Sequence, residues 1–267
     1  MPRATMTVPM SDAHRHFLQA LLALGIVERS EARKLHQQCC ELHKVYYVQD
    51  KLDDFINFVN VQLQHLFMEI RKGLSEENGR TYYALVNLAE TEFTKMASNY
   101  SENELELFKK TMDLIVLSGS GFASSTDILN SADRLKPKKM KKREAEQLLQ
   151  NLVQNKWLRE KEGEYTLHTR CVLELEQYIL CHYQGSARKC HICHSLSIQS
   201  QMCEDCGIAM HLPCLAKYFG AQTEPRCPHC KQFWPHRIPE INPGGPHLSS
   251  STPKETRKAP SMGTRQR

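Results

Sequence analysis

Residues 190–230 read CHICHSLSIQSQMCEDCGIAMHLPCLAKYFGAQTEPRCPHC, and their spacing decides the architecture of the C-terminal part of the chain. Eight metal-type ligands stand in the order Cys190, Cys193, Cys203, Cys206, His211, Cys214, Cys227 and Cys230, as C-x2-C-x9-C-x2-C-x4-H-x2-C-x12-C-x2-C. A two-residue spacer lets two side chains turn onto one ion, with Zn–S near about 2.3 Å. One such pair says little. Four consecutive pairs predict two tetrahedral zinc sites. Interleaved pairing places Cys190, Cys193, His211 and Cys214 on the first zinc ion, and Cys203, Cys206, Cys227 and Cys230 on the second. Sequential pairing also fits the spacing. Interleaving is favoured because it ties a stretch too short for a real core into one unit. Four protein ligands close each site against water and substrate, which predicts structural zinc and argues against metal-assisted hydrolysis. With that ligand set complete, His191, His194 and His229 read as exposed loop residues rather than substitute ligands.

At 267 residues, 40% of them hydrophobic, the chain has room for two or three small domains. Seven of its eleven cysteines lie in the cluster; only Cys39, Cys40, Cys171 and Cys181 lie outside it. That distribution points to zinc in a reducing compartment, not to disulfides. The formal net charge is +5 with every cysteine neutral; seven thiolates against two divalent ions would lower it to +2. Whole-chain charge is therefore no argument for nucleic-acid binding, and only local clusters count. The apolar run Phe17–Val27 imitates a secretory signal. No small-residue cleavage site follows it, Glu28, Arg29, Glu31, Arg33 and Lys34 do, and it is too short to span a bilayer. It reads as a core helix, and no other stretch is suited to crossing a membrane. No P-loop, Ser-His-Asp pattern or glycine-rich dinucleotide turn is present. The vicinal Cys39-Cys40 pair reads as helix thiols without redox chemistry.

Upstream of the cluster the apolar period is helical. Asp12 is a candidate N-cap for a helix with Phe17, Leu18, Leu21 and Leu22 on one face, ended by Gly25. Ser30 opens a second helix through Leu35 toward Cys40. A third runs from about Lys51 to Phe67, with Leu52, Phe55, Ile56, Val59, Leu63 and Leu66 inward. The period then changes: Met68–Leu74 and Arg80–Leu88 read as strands joined by a polar turn with Asn78-Gly79. Three helices and a hairpin make a winged helix.

The plan recurs. Ser101 and Glu104 form a capping box for a helix carrying Leu105, Phe108, Met112, Ile115 and Val116. Ser124 or Ser125 caps a short helix through Leu129 and Leu135. A third spans Arg143–Gln154 with Ala145, Leu148, Leu149 and Leu152. Trp157–Arg159 and Tyr165–Leu167 form a hairpin around Glu162-Gly163. A last helix, Thr169–Tyr183, carries Val172, Leu173, Leu175, Tyr178 and Ile179 and leads to the zinc domain. The fold expected is mainly α with short β-hairpins: a flexible start (1–10), winged helix A (11–98), winged helix B with its connecting helix (99–184), an interleaved zinc domain (185–237) and a disordered basic tail (238–267). The tail holds almost no apolar residues after Leu248, so it cannot offset its ordering entropy.

Two interleaved folds use this ligand order. Plant-homeodomain fingers usually place a Trp two residues before the seventh ligand, where this chain has Pro225. RING fingers commonly place Pro after the seventh ligand and an aliphatic residue between the first two. Pro228 and Ile192 stand there. The cluster resembles a variant RING, with Cys206 and His211 where the commonest RING has His and Cys. Asp54-Phe-Ile-Asn57, Tyr83-Ala-Leu-Val-Asn-Leu-Ala89, Gly121-Phe-Ala-Ser-Ser-Thr126, Gln154-Asn-Lys-Trp-Leu158, Met210-His-Leu-Pro-Cys214 and Pro225-Arg-Cys-Pro-His-Cys230 extend the likeness. Over about residues 11–236 the chain resembles the vertebrate non-SMC element one family, where SMC stands for structural maintenance of chromosomes. The stretch 203–235 is its most specific part.

That resemblance implies a nuclear, chromosome-associated subunit of the SMC five-six complex. It implies a heterodimer with a MAGE-family subunit through the winged helices, a bridge to a kleisin subunit, RING-type ubiquitin ligase activity and a role in DNA repair by recombination. Such a ligase has no covalent nucleophile; it orients a charged ubiquitin-conjugating enzyme. Ile192, Leu215, Phe219 and Pro228 are the candidate apolar contacts to that enzyme, and equally suit the core of a small zinc domain. Lys231 stands where many RING ligases put a bridging Arg, and its point charge replaces a planar donor fork. Two other functions stay open. One is a zinc-stabilised adaptor that docks partner subunits without catalysis. The other is DNA binding through Lys136, Lys138, Lys139, Lys141, Lys142 and Arg143, a basic run that also suits an acidic protein surface.

Overall fold

A computed structural model describes residues 9–88, 100–136, 138–220, 222 and 224–239. The first unit contains α1 (Asp12–Leu24), β1 (Ile26–Glu28), α2 (Arg29–Leu42), α3 (Leu52–Leu63), β2 (Met68–Leu74) and β3 (Thr81–Asn87). Ala13, Phe17 and Leu21 recur every four residues and form the fully buried stripe of α1. Leu22, expected on that stripe, is exposed because it falls about a hundred degrees away. Ser11, not Asp12, is the N-cap, and its backbone N–H donates to His14 Nδ1 at 3.3 Å. Helix α2 starts at Arg29, one residue before Ser30, and runs on to Leu42. Helix α3 stops at Leu63; a 3-10 turn follows, and Phe67 takes a left-handed φ of 51°. That early stop turns Leu66 to solvent rather than inward. The Asn60 side chain then donates to the Ile70 carbonyl at 3.0 Å and accepts its N–H at 2.8 Å, pinning the hairpin to α3.

The second unit repeats the plan with α4 (Glu102–Leu117), β4 (Ala123–Ser124), α5 (Ser125–Ala132), α6 (Lys142–Gln154), β5 (Leu158–Lys161) and β6 (Glu164–Leu167). Ser101 caps α4 reciprocally: its N–H donates to Glu104 Oε2 at 2.7 Å while Oγ accepts the Glu104 N–H at 3.4 Å. Ser124 caps α5, which ends at Ala132, so Leu135 lies past the helix but is still buried. The hairpin starts at Leu158, with Trp157 buried beside it.

Each unit adds one strand that periodicity did not reveal. β1 pairs with β3 (Val27 opposite Tyr83), and β4 pairs with β6 (Ala123 opposite Tyr165). The two antiparallel sheets have equivalent orders, β1-β3-β2 and β4-β6-β5. Two winged helices therefore stand in tandem.

Helix α7 (Thr169–His182) joins more than the connection expected of it. Cys171, Leu175 and Ile179 sink into the core of the second unit, while Leu173 is buried with Ala84 and Val86 of the first. Burying an aliphatic side chain contributes roughly 1.5–3 kcal/mol, so this helix cements the two units.

The cysteine-rich domain follows: β7 (Arg188–Lys189), β8 (Leu196–Ser197), β9 (Ser200–Met202), β10 (Ala209–His211) and α8 (Leu212–Phe219). Its own core is small, centred on Met210, Leu215, Phe219 and Trp234. It is not a separate bead. Leu196 and Ile198 belong to the core of the second unit, and Leu74 of the first packs on the core of the cysteine-rich domain. Ile238 packs there too, so the folded chain passes the expected boundary at residue 237. Most of the expected tail, the start of the chain and the predicted join at 98–99 lie outside the described residues. Among the described residues, no helix is long and apolar enough to cross a membrane.

Candidate metal centres

The eight predicted ligands gather into two groups of four, Cys190 with Cys193, His211 and Cys214, and Cys203 with Cys206, Cys227 and Cys230. Within each group the ligand atoms all lie within 4.8 Å of one another. The first pair thus meets the third and the second meets the fourth. The strands make this possible, since β9 and β10 run antiparallel with Met202 opposite Ala209.

Three of the pairs share one backbone device. The N–H one residue past each second cysteine donates to the carbonyl of the first: His194 to Cys190 at 2.9 Å, Gly207 to Cys203 at 2.9 Å, Lys231 to Cys227 at 3.1 Å. Each of these residues is left-handed, with φ of 62°, 70° and 64°. The first cysteine's N–H then donates to Ser195, Ile208 or Gln232, each at 2.9 Å. Both Sγ atoms of a pair are thereby turned to one point. The fourth pair, His211 and Cys214, uses a different frame. His211 ends β10 and caps α8, and Cys214 is one turn along that helix, after Pro213.

The spacing between ligand atoms suits a tetrahedral ion. Four sulfurs at about 2.3 Å from one ion lie about 3.8 Å apart, and an imidazole nitrogen lies slightly closer. Cys203 and Cys230 Sγ are 3.6 Å apart, as are Cys206 and Cys227. His211 Nδ1 lies 3.2 Å from Cys193 Sγ and 3.8 Å from Cys214 Sγ.

The imidazole is held from behind. His211 Nε2 lies 3.0 Å from the Leu196 carbonyl and 3.0 Å from Glu76 Oε1. Both partners are acceptors, so Nε2 carries the proton, and a neutral ring keeps its lone pair on Nδ1, facing the thiols. Burial draws the His211 imidazole down, but the Cys190 and Cys193 thiols and the Glu76 carboxylate outweigh it and hold it up at about 12, so without an ion the ring is protonated and the neutral form is the one an entering cation selects. In the second group, the Cys206 backbone N–H helps hold the Cys203 thiol down at about 7. A cation entering either group replaces protons. Glu76 went unnoticed in the sequence; the only local hint is an acidic pair, Glu76-Glu77, in a turn read merely as polar.

The other candidates are scattered. Ile192 and Pro228 are half-buried on neighbouring knuckles, with the His191 and His229 rings 6.0 Å apart edge to face. Leu215 and Phe219 are corrected: they are fully buried against Trp234, whose indole N–H donates to Gln201, and present no contact surface. Trp234 folds back over α8 and takes them into the small core. Lys231 is exposed and curls its ammonium onto the Pro228 carbonyl at 2.8 Å. Lys136, Lys138, Lys139, Lys141, Lys142 and Arg143 are all exposed, leading into the start of α6 with buried Met140 as anchor.

A family profile described as "Nse1 non-SMC component of SMC5-6 complex" matches residues 14–175, and one described as "RING-like domain" matches residues 190–230. The chain is 55% identical to the "Non-structural maintenance of chromosomes element 1 homolog" of Xenopus laevis, over 97% of this chain and 94% of that one. It is 56% identical to the Homo sapiens protein of the same description, over 87% of each. A solved chain from an "Nse1-Nse3-Nse4 complex" is similar with a TM-score of 0.79 and 58% identity, covering 86% of this chain and 100% of that one.

Proposed function

The chain belongs to the family of Nse1 non-SMC components of the SMC5-6 complex, and from that premise we propose that it is the RING-type ubiquitin ligase subunit of that complex. It acts in the nucleus, on chromosomes, in DNA repair by recombination. Its winged helices dock a MAGE-family subunit and the kleisin. The support is a relative of high identity in an assembly described as Nse1-Nse3-Nse4. The two groups of four hold one zinc ion each. Seven thiols and one imidazole at tetrahedral spacing suit zinc, and fully closed sites suit a structural ion.

One observation carries the ligase reading: Ile192 and Pro228 sit half-exposed on adjoining knuckles. They form an apolar edge that a conjugating enzyme can use without disturbing a ligand. The chain's contribution is orientation of the charged ubiquitin. For Lys231 to take part, its amine has to leave the Pro228 carbonyl.

The test is discharge of ubiquitin from several conjugating enzymes by zinc-replete protein, with and without the MAGE-family subunit. Weak discharge alone and faster discharge with the partner are expected. Ile192→Ala removes an aliphatic contact worth roughly 1.5–3 kcal/mol, about a ten- to hundredfold loss of enzyme affinity. Lys231→Arg is expected to speed transfer and Lys231→Ala to slow it. If no conjugating enzyme is discharged in the full complex, the chain is the zinc-stabilised adaptor instead. That second reading draws support from the burial of Leu215 and Phe219, which leaves the apolar edge small. DNA contact through the exposed basic run adds to either reading. Neutralising Lys138, Lys139, Lys141 and Lys142 is expected to flatten the salt dependence of any DNA affinity and spare the protein complex.

A further inference from the structure

The loop between β2 and β3 of the first unit reaches across the molecule to the first metal centre. Glu76 lies in that loop with its side chain 10% exposed. Its Oε1 accepts the Ile198 N–H at 2.7 Å, a contact spanning 122 residues of sequence, and its Oε2 accepts the Gln199 N–H at 3.2 Å. The same Oε1 is 3.0 Å from His211 Nε2. Three residues further on, Gly79 has φ of +67°, and a Cβ there would lie 2.9 Å from Pro213 Cβ. The loop therefore touches the ligand-bearing segment twice, at His211 and between His211 and Cys214. Leu74, at the loop's entrance, packs on the core of the cysteine-rich domain. Neighbouring Glu77 is engaged elsewhere, with Arg159.

We infer that Glu76 is a positioning residue for the first metal centre, and that ion retention there and docking of the first unit's hairpin depend on each other. The inference rests on the proposed occupancy of that centre. The argument is steric and electrostatic. A nearly buried carboxylate costs free energy unless its lone pairs are taken. Two consecutive backbone N–H groups fix its plane, which aims Oε1 at the imidazole. His211 Nε2–H faces the Leu196 carbonyl at 3.0 Å, and the carboxylate 3.0 Å from the same nitrogen flanks it; together they set the ring angle and leave Nδ1 as the metal-facing donor. Loss of such an outer partner typically weakens metal affinity ten- to a hundredfold. Coupling of this kind is reciprocal, so loss of the ion frees the loop by the same factor.

The experiment uses the full chain loaded with zinc and challenged with a chelating dye that reports ion release. Parent protein is expected to hold two ions. Glu76→Ala is expected to release one of them about ten- to a hundredfold faster, the other at the parent rate. Glu76→Gln keeps an oxygen for His211 and Ile198 and loses the bond to Gln199, so it is expected to fall between the two. Glu77→Ala is expected to match the parent. Loading with cobalt identifies the released ion, since three-sulfur-one-nitrogen and four-sulfur sites absorb differently. Hydrogen exchange at residues 75–80 is expected to rise when only the first ion has been stripped. A parent chain holding no ion overturns the zinc reading and this inference together. A two-ion parent whose Glu76→Ala and Glu76→Gln variants release both ions at the parent rate overturns this inference alone. Equal acceleration of both ions in Glu76→Ala also overturns it, because that outcome is general unfolding.

Discussion

At the first metal centre, His211 at the end of β10 is met by the Leu196 carbonyl of β8 and by Glu76 of the β2–β3 loop, and the chain on either side of Cys190 and Cys193 packs into the core of the second unit. Around the second, Cys203, Cys206, Cys227 and Cys230 are held by their own knuckles, and Met202, just before the first of them, and Phe233, three residues past the last, are exposed. The same spacing rule built both. The difference lies in what the rest of the chain adds: an inner site shared among three units, and an outer site that belongs to itself. Ligand motifs report the first kind of information only, because they describe neighbours in sequence.

The largest test is to remove a ligand from each centre. Structural zinc sites contribute about 10–16 kcal/mol of apparent binding free energy in small peptides. Cys214→Ser is expected to unfold the cysteine-rich domain and to raise hydrogen exchange in the β2–β3 loop and around Gly121 as well. Cys206→Ser is expected to confine its damage to residues near 203–208 and 227–232. The shared core at Leu196 and Ile198 ties the winged helices to the inner site, so the damage from Cys214→Ser is expected to reach them. Equal spread of exchange in both variants would erase the inner–outer distinction.

Next in size are the close approaches. Gly121, with φ of +79°, stands where a Cβ would lie 2.7 Å from the Ile198 carbonyl, and Gly79 stands against Pro213. Alanine at either position is expected to lower stability by about 1–3 kcal/mol through overpacking and a left-handed backbone. Denaturant midpoints measure it. An unchanged midpoint for both would mean that the units are not pressed together at these points.

Acid sharpens the comparison from another side. His168 caps α7 by accepting the Arg170 N–H at 3.1 Å, close to the junction of the units. Burial, with Lys156, Arg159 and Arg170 nearby, pushes its imidazole down to about 4. The unfolded chain, titrating near 6.5, then binds more protons than the folded one between those values. Stability is lost as pH falls through that window, by about 2 kcal/mol from pH 7 to pH 5. His168→Asn keeps a cap acceptor and removes the titration, so urea midpoints at the two pH values are expected to converge. His14 and His36, lowered chiefly by burial in the first unit, add in the same sense.

The smallest effect concerns the knuckles. His194 and Lys231 hold left-handed backbone that Gly207 holds freely, so His194→Gly and Lys231→Gly are each expected to stabilise by about 1 kcal/mol. Similar gains at the inner and outer sites would show that knuckle strain is indifferent to surroundings.

The helices were legible because their apolar stripes repeat over three or more turns and because Ser101-Glu104 announces its cap. The gathering of the eight side chains into two groups of four was legible because cysteine pairs carry their own geometry. β1 and β4 were not, since two or three residues hold no period and become strands only through the hairpin that pairs with them. Leu22 and Leu66 were misplaced because one residue of phase, or one early helix stop, moves a side chain to the other face. Leu215 and Phe219 looked like a docking surface until Trp234 folded onto them. Glu76 had no local signature beyond its acidic neighbour Glu77, because its partners come from the far end of the chain.

The approach of Gly79 to Pro213 and of Gly121 to Ile198 has a consequence for assembly. Modules joined by a flexible linker meet each other's ligands at an effective concentration set by linker length. Here glycine backbone presses on the Pro213 ring and on the Ile198 carbonyl, leaving little slack between modules. On the proposed ligase reading, a protein seated on the winged helices and an enzyme seated on the knuckles would therefore be presented at a fixed distance and angle, like two marks on a ruler. Lengthening or shortening a bound partner by a few residues changes whether it reaches at all, not merely how often.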